Sequence, residues 1–137
     1  MNNLKLLIVD DDKATQKLVR RVAESIGFEH IRKAENGNKA LDMIAKERPD
    51  LILLDWEMPE KNGVEVLKEL HEQKKLRDIS IMMLTANKER EGIEEAVKLG
   101  IADYIVKPIK IPMLKERLEK LMQTHNNRLI NSIMDQY

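Results

Sequence analysis

The sequence predicts an α/β domain with a doubly wound parallel sheet of five strands and five helices. Two observations support this fold class. Short apolar runs recur along the chain, and the segments between them have the apolar spacing of helices. Because the connections are also short, this alternation favours parallel strands with helices on both faces of the sheet.

The first predicted strand covers residues 4–9, and the first helix begins at Lys13. The strand sequence LKLLIV is mostly aliphatic, which is typical of a strand buried on both faces. Asp12 is a natural N-cap for the helix, and Gly27 is a natural stop. The helix has one apolar face, and its polar residues, Gln16 among them, are expected to be largely solvated.

The second and third strands follow the same pattern. Residues 28–34 form a weaker strand, and the turn at Asn36 leads into a helix that ends before Pro49. Residues 50–54 (DLILL) are too short and too aliphatic for an amphipathic helix, so they are predicted to be a buried strand. Asp55 then stands where this strand leaves the core.

Two strands and two helices complete the regular alternation. Asn62 and Glu65 have the spacing of a capping box and open the third helix. The fourth and fifth strands cover residues 79–84 and 103–106, and Asn87 can cap the helix between them.

The fifth helix is predicted to begin at Pro112 and to bury a stripe of leucines. Residues 123–128 (QTHNNR) are polar and poor helix formers, so the compact domain is expected to end near residue 122. We therefore predict a domain over residues 1–122. Residues 123–137 are expected to form a tail or the start of a linker helix.

The composition argues against several classes of function. The 137 residues suffice for one domain with its own core. The chain has 24 Lys and Arg, 24 Asp and Glu, and no Cys, so a basic nucleic-acid surface and a cysteine nucleophile are not expected. No apolar run approaches the roughly 20 residues that span a bilayer, and the N-terminus does not resemble a signal peptide. We expect a cytoplasmic protein that binds neither nucleic acid nor membrane directly.

Polar residues stand where four of the predicted strands end: Asp10 and Asp11, Asp55, Thr85, and Lys107. Because the carboxyl ends of parallel strands meet at one edge of the sheet, these side chains are expected to converge. Three converging carboxylates repel one another, and a hard divalent cation among them relieves the repulsion. The pattern therefore predicts a Mg²⁺ site, in which Mn²⁺ can substitute.

The same residue types suit phosphoryl transfer. Asp55 lies on the central strand, where it can face Lys107 and Thr85, so we predict that its carboxylate attacks phosphorus to give an aspartyl phosphate. Lys107 would offset charge on the phosphoryl oxygens. The Thr85 hydroxyl and the backbone N–H of Ala86 would donate hydrogen bonds to them.

Four motifs, IVDDD, LLDWEMP followed by NG, MLTA and YIVKP, resemble in order and spacing the receiver domains of CheY-like response regulators in two-component signalling. The resemblance covers residues 3–122. It implies a flavodoxin-like fold with strand order 2-1-3-4-5. It also implies that a sensor histidine kinase or a histidine phosphotransfer protein supplies the phosphoryl group.

The resemblance implies roles for individual residues at the site. Asp55 is then the phosphoacceptor, and Asp10 and Asp11 hold Mg²⁺ together with the backbone carbonyl of Glu57. Glu57 and Asn87 each lie two residues beyond a key position, and they are expected to tune the lifetime of the phosphorylated state.

The resemblance further implies a conformational switch. Phosphorylation adds roughly −1.5 to −2 charge, and Thr85 and Lys107 are expected to move toward it. Tyr104 matches the aromatic switch position of the family, and Pro108 resembles its cis proline. The expected output surface, formed by the fourth helix, fifth strand and fifth helix, covers residues 87–121. An unidentified downstream protein or a second copy of the chain would dock there.

Two alternatives stay open from the sequence. The chain can be the receiver part of a longer regulator whose output domain is absent from this sequence. A small aspartyl-phosphate phosphatase, similar to haloacid-dehalogenase-like hydrolases, would carry a second acid two residues after its nucleophile, as Glu57 follows Asp55. However, no lid domain follows Asp55, and the acid pair precedes the nucleophile strand. We therefore expect no turnover of an external substrate.

Overall fold

The computed structural model describes residues 2–75, 78–86 and 90–136, and within them five parallel strands form one sheet. The strands are β1 Asn2–Val9, β2 Phe28–Ala34, β3 Leu51–Asp55, β4 Ser80–Thr85 and β5 Asp103–Val106. Their order in the sheet is β2-β1-β3-β4-β5, and all neighbouring pairs are parallel. The predicted flavodoxin-like fold and its strand order are confirmed.

The described helices are α1 Lys13–Ser25, α2 Gly37–Lys46, α3 Gly63–Glu72, α4 Arg90–Lys98 and α5 Ile111–Met134. They cover both faces of the sheet. One core cluster joins α1 and α5 to strand residues such as Leu53. The other joins α2, α3 and α4 to the alternate strand residues, such as Leu54. Because successive side chains point to opposite faces, a strand covered on both sides must be apolar throughout, as the sequence of β3 indicated.

The predicted caps at Asp12 and Asn62 are present, whereas Asn87, predicted to cap α4, lies outside the described residues. Asp12 accepts hydrogen bonds from backbone N–H groups in the first turn of α1, and Asn36 caps α2 in the same way. Asn62 and Glu65 form a reciprocal capping box at the start of α3. Gly27, which follows α1, has a φ of 105°, a conformation that favours glycine. These local signals fix where the helices begin and end relative to the strands.

One prediction about α1 is wrong. Gln16, which was expected to be solvated, is only 4% exposed. It precedes Val19 by three residues and Ala23 by seven, and both of these side chains are fully buried. This spacing places Gln16 on the inner face of α1 rather than on the solvated face.

The prediction of a poorly helical segment after residue 122 is also wrong. Residues 123–128 lie inside α5, which continues without a break to Met134. We attribute the continuity to His125, which is buried and lies 3.4 Å from Ser80 Oγ. Although α5 has 24 residues, none of the described helices combines the length and apolarity needed to cross a membrane. The domain boundary at residue 122 stays a prediction.

Candidate functional site

The predicted site residues converge at the carboxyl-terminal edge of the sheet. Asp10 follows β1, Asp55 ends β3, Thr85 ends β4 and Lys107 follows β5. Backbone hydrogen bonds continue the strand pairing at this edge: the Lys107 N–H donates to Thr85 O at 2.8 Å, and the Asp10 N–H donates to Ala34 O at 3.1 Å. The strand ends are thereby held side by side, and residues distant in sequence share one crevice.

Asp10, Asp11 and Asp55 form a carboxylate cluster. One oxygen from each side chain lies within 4.8 Å of the other two. Asp10 is 0% exposed and Asp55 is 2% exposed, whereas Asp11 faces solvent. The cluster therefore has two buried carboxylates and one at its mouth.

Lys107 provides positive charge beside the two buried carboxylates. Its Nζ donates to Asp10 Oδ2 at 3.2 Å and to Asp55 Oδ1 at 3.1 Å. Burial lowers the pKa of Lys107, but the charges of Asp10 and Asp55 outweigh this effect, so the pKa lies above its ordinary value. The side chain is therefore an ammonium group at neutral pH.

Lys107 does not fully offset the cost of burying a charged carboxylate at Asp55. Burial raises the pKa of Asp55 to about 6, and the charge of Asp10 adds to this effect, while Lys107 acts in the opposite direction. One ammonium group thus neutralises two buried carboxylates incompletely. A cation bound among them would favour the charged form of Asp55.

The donor set fits a hard divalent cation such as Mg²⁺. All three side chains offer carboxylate oxygens, the type of ligand that Mg²⁺ prefers. Asp10 is oriented by a hydrogen bond from the Asp12 N–H to its Oδ1 at 2.8 Å. The Asp12 side chain accepts a hydrogen bond from Thr15 Oγ1 at 2.6 Å, which fits the predicted capping role rather than a ligand role.

The loop between β3 and α3 is held close to Asp55. The Glu57 N–H lies 3.4 Å from Asp55 Oδ1, and the Glu57 side chain is exposed. The Gly63 N–H donates to Trp56 O at 2.8 Å. A Cβ atom at Gly63 would collide with the main-chain oxygen of Asp55. Glycine is therefore needed for α3 to begin so near the end of β3.

Comparison with known proteins identifies the family. The family model described as the response regulator receiver domain matches residues 6–119. The chain belongs to the receiver domain family of response regulators. Chemotaxis protein CheY-3 of Vibrio cholerae is 36% identical over 121 residues, which cover 88% of this chain and 93% of that protein. The receiver domain of the Francisella response regulator 1452 matches with a TM-score of 0.80 and 32% identity, covering 89% of this chain and 98% of that one. These similarities associate the receiver domain with phosphorylation-dependent two-component signalling.

The other predicted site residues that the structure describes lie just after β4, on β5 or just after β5. Ala86 follows Thr85 at the same edge and is exposed. Tyr104 is 37% exposed on β5. The peptide bond between Lys107 and Pro108 is cis, as the resemblance implied. Asn87 lies outside the described residues, so its expected effect on phosphoryl lifetime stays a prediction.

A groove along β5 and the first turns of α5 connects the site of the receiver domain with an exposed face. It is lined by Tyr104, Lys107, Pro108, Lys110, Met113 and Arg117, among others. Arg117 Nη1 donates to Asp103 Oδ1 at 2.6 Å and so ties α5 to β5. Because Lys107 belongs to both the carboxylate cluster and this groove, movement of its side chain would alter both.

Gln16 also contacts the site of the receiver domain but was not predicted to do so. Its Nε2 donates to the main-chain oxygen of Asp10. The available signal was its spacing from Val19 and Ala23 on the buried face of α1. A glutamine in a helix rich in Lys and Arg is otherwise easily counted with the solvated residues.

Proposed function

We propose that this receiver domain is a switch in which Asp55 accepts a phosphoryl group from a phosphohistidine of a sensor histidine kinase or a phosphotransfer protein. One observation carries the proposal. The buried Asp55 carboxylate lies 3.1 Å from the Lys107 ammonium and forms one cluster with Asp10 and Asp11. This cluster stands at the edge of the sheet where ligands of doubly wound folds bind.

The transfer uses Asp55 in its carboxylate form. An oxygen of Asp55 attacks phosphorus, the bond from phosphorus to the donor imidazole nitrogen breaks, and its electron pair returns to the imidazole. Because the pKa of Asp55 is raised to about 6, roughly nine-tenths of the side chains are ionised at pH 7.

Lys107, Thr85 and Ala86 stabilise the transferred group. The Lys107 ammonium offsets negative charge on the phosphoryl oxygens, since it already lies within hydrogen-bond distance of the acceptor carboxylate. The Thr85 hydroxyl and the Ala86 N–H supply further hydrogen bonds, because Thr85 ends β4, the strand next to β3, and Ala86 follows it.

The carboxylates of Asp10, Asp11 and Asp55, with the backbone carbonyl of Glu57, would hold Mg²⁺ or Mn²⁺. The bound ion would neutralise charge on the carboxylates and on the phosphoryl oxygens. The raised pKa of Asp55 supports this assignment, since burial and the Asp10 charge disfavour a second carboxylate without added positive charge. The acceptor is therefore expected to react slowly in the absence of a divalent cation.

Phosphorylation of Asp55 changes the conformation of the face formed by α4, β5 and α5, and partners bind this face. The added charge, roughly −1.5 to −2, draws Thr85 and Lys107 toward the phosphoryl group, and Tyr104 responds as the aromatic switch. This face exposes large apolar side chains that a downstream protein or a second copy of the chain can cover: Val97, Tyr104, Ile111 and Met113. The domain acts through binding and turns over no external substrate.

Intact mass spectrometry after incubation with acetyl phosphate and Mg²⁺ tests the proposal. The parent protein should gain the mass of one phosphoryl group, and Asp55→Asn should gain none. Asp42→Asn is the matched control, because Asp42 is an exposed carboxylate on α2, and it should behave like the parent. Phosphorylation of Asp55→Asn to the parent level would overturn the assignment.

A further inference from the structure

Gln16 is an uncharged polar residue that is buried close to the carboxylate cluster. Its side chain is 4% exposed, and it lines a small cavity together with Ile8 and Ile31. A buried amide lowers stability unless it finds a hydrogen-bond partner. Gln16 Nε2 finds one in the main-chain oxygen of Asp10.

This hydrogen bond fixes the peptide unit between Asp10 and Asp11. On the strand side, the sheet already holds Asp10, because its N–H donates to Ala34 O at 3.1 Å. On the other side, the main-chain oxygen of Asp10 belongs to a rigid plane that leads to the Cα atom of Asp11. A donor on that oxygen therefore restricts the direction in which the Asp11 side chain leaves the backbone.

Gln16 is tied to the rest of the same loop through its own backbone. Its N–H donates to Asp12 O at 3.0 Å, and the Asp12 N–H in turn donates to Asp10 Oδ1 at 2.8 Å. The loop over residues 10–12 is thus anchored to α1 by a residue that uses both its side chain and its backbone.

We propose that Gln16 is a positioning residue for Mg²⁺ binding. By holding the main-chain oxygen of Asp10, it sets the carboxylates of Asp10 and Asp11 in the arrangement that the cation requires. The inference rests on the proposed function, in which these carboxylates are metal ligands. Loss of a group that orients metal ligands commonly weakens metal affinity by about 10- to 100-fold.

Calorimetric titration of the full chain with MgCl₂ measures this effect. Gln16→Met keeps the approximate length of the side chain but removes the donor, and we expect the Mg²⁺ dissociation constant to rise about 10-fold. Val22→Ala is the matched control, because Val22 is also buried on α1 but lies further along the helix from the loop. It should lower thermal stability while Mg²⁺ affinity stays at the parent value.

A second substitution keeps the test decisive if Gln16→Met does not fold. Gln16→Asn retains an amide that is one methylene shorter, and it is expected to weaken Mg²⁺ binding to an intermediate degree. Parent-like affinity in the folded Gln16 variants would overturn the positioning role, and so would an equal loss in Val22→Ala. A parent protein that binds no Mg²⁺ would overturn the proposed metal site as well, and titration of the parent alone distinguishes this case.

Discussion

The Lys107 ammonium lies 3.1 Å from the Asp55 carboxylate, although the two residues are 52 positions apart in sequence. Asp55 ends β3 and Lys107 follows β5, so the side chain reaches past the end of β4, the strand that lies between them. The same Nζ lies 3.2 Å from Asp10 Oδ2, which follows β1. One lysine thus links three strand ends, and its charge should contribute to stability as well as to chemistry.

Lys107→Met should destabilise the protein in buffer without divalent cations. Asp10 and Asp55 would lose their shared counter-charge while remaining buried, and because Lys107 is itself partly exposed we expect a loss of about 1–2 kcal/mol. MgCl₂ should restore part of this loss. Urea unfolding with and without MgCl₂ measures both effects. Lys110→Met, which removes an exposed lysine before α5, is the control, and an equal loss in the two variants would contradict the prediction.

Asp55→Asn should stabilise the metal-free protein at neutral pH. The pKa of Asp55 is raised from its ordinary value of 3.8 to about 6 in the fold, by burial and by Asp10. Between about pH 4 and pH 6 the folded state therefore binds more protons than the unfolded state, so stability falls as the pH rises through this window. Removal of the charge at pH 7 should gain about 1–3 kcal/mol.

Urea unfolding in EDTA at several pH values checks this behaviour. The difference in stability between Asp55→Asn and the parent should grow from about pH 4 to pH 6 and then level off. Asp42→Asn, which removes an exposed carboxylate on α2, is the control, and its stability should stay close to that of the parent. A difference between Asp55→Asn and the parent that is equal at pH 4 and pH 7 would show that the carboxylate charge is not its cause.

Gly63→Ala should disturb both the fold and the acceptor. The added Cβ would meet the main-chain oxygen of Asp55 and approach the Met83 side chain to 3.0 Å, so the start of α3 must move away from β3. We expect a loss of about 1–3 kcal/mol and slower phosphorylation by acetyl phosphate. Gly100→Ala is the control, because Gly100 has open space around it but a φ of +101°. That variant should lose stability through backbone strain alone and keep the parent phosphorylation rate.

Much of the fold and of the site was predictable because the signals are local. The β3 sequence is aliphatic throughout since both of its faces are covered, and the bounds predicted for β5 agree with Asp103–Val106. Parallel strands bring their carboxyl ends to one edge, so chain order was sufficient to expect Asp10 near Asp55 and Lys107. No information on distant contacts was needed for these steps.

The features that were missed depend on contacts that residue type and local propensity do not record. The partner of Gln16 is the main-chain oxygen of Asp10. Every residue has such an oxygen, so the identity of residue 10 does not reveal the contact. Similarly, the polar residues 123–128 have weak helical preference. Helical propensity is a local quantity and does not include contacts with another part of the chain. In α5, one such contact is made by His125, which is buried within this polar segment.

His125 attaches α5 to the amino-terminal edge of the sheet. Its Nε2 lies 3.6 Å from Asp50 Oδ1, and its Nδ1 lies 3.4 Å from Ser80 Oγ. Asp50 Oδ2 accepts a hydrogen bond from the Lys5 N–H at 2.8 Å, which connects the same group to β1. The carboxylate cluster lies at the opposite ends of these strands, so the two regions can be tested separately.

His125→Ala should loosen the last turns of α5 without changing phosphorylation of Asp55. Removing the buried ring and its polar contacts is expected to cost about 1–3 kcal/mol. Amide hydrogen exchange should accelerate in residues 123–134, because these residues would lose their attachment to the sheet. The rate of phosphorylation by acetyl phosphate should stay at the parent value. The control is His71→Ala, at an exposed histidine on α3, which should change neither hydrogen exchange nor the phosphorylation rate. Parent-like exchange in His125→Ala would show that the end of α5 is held by other contacts.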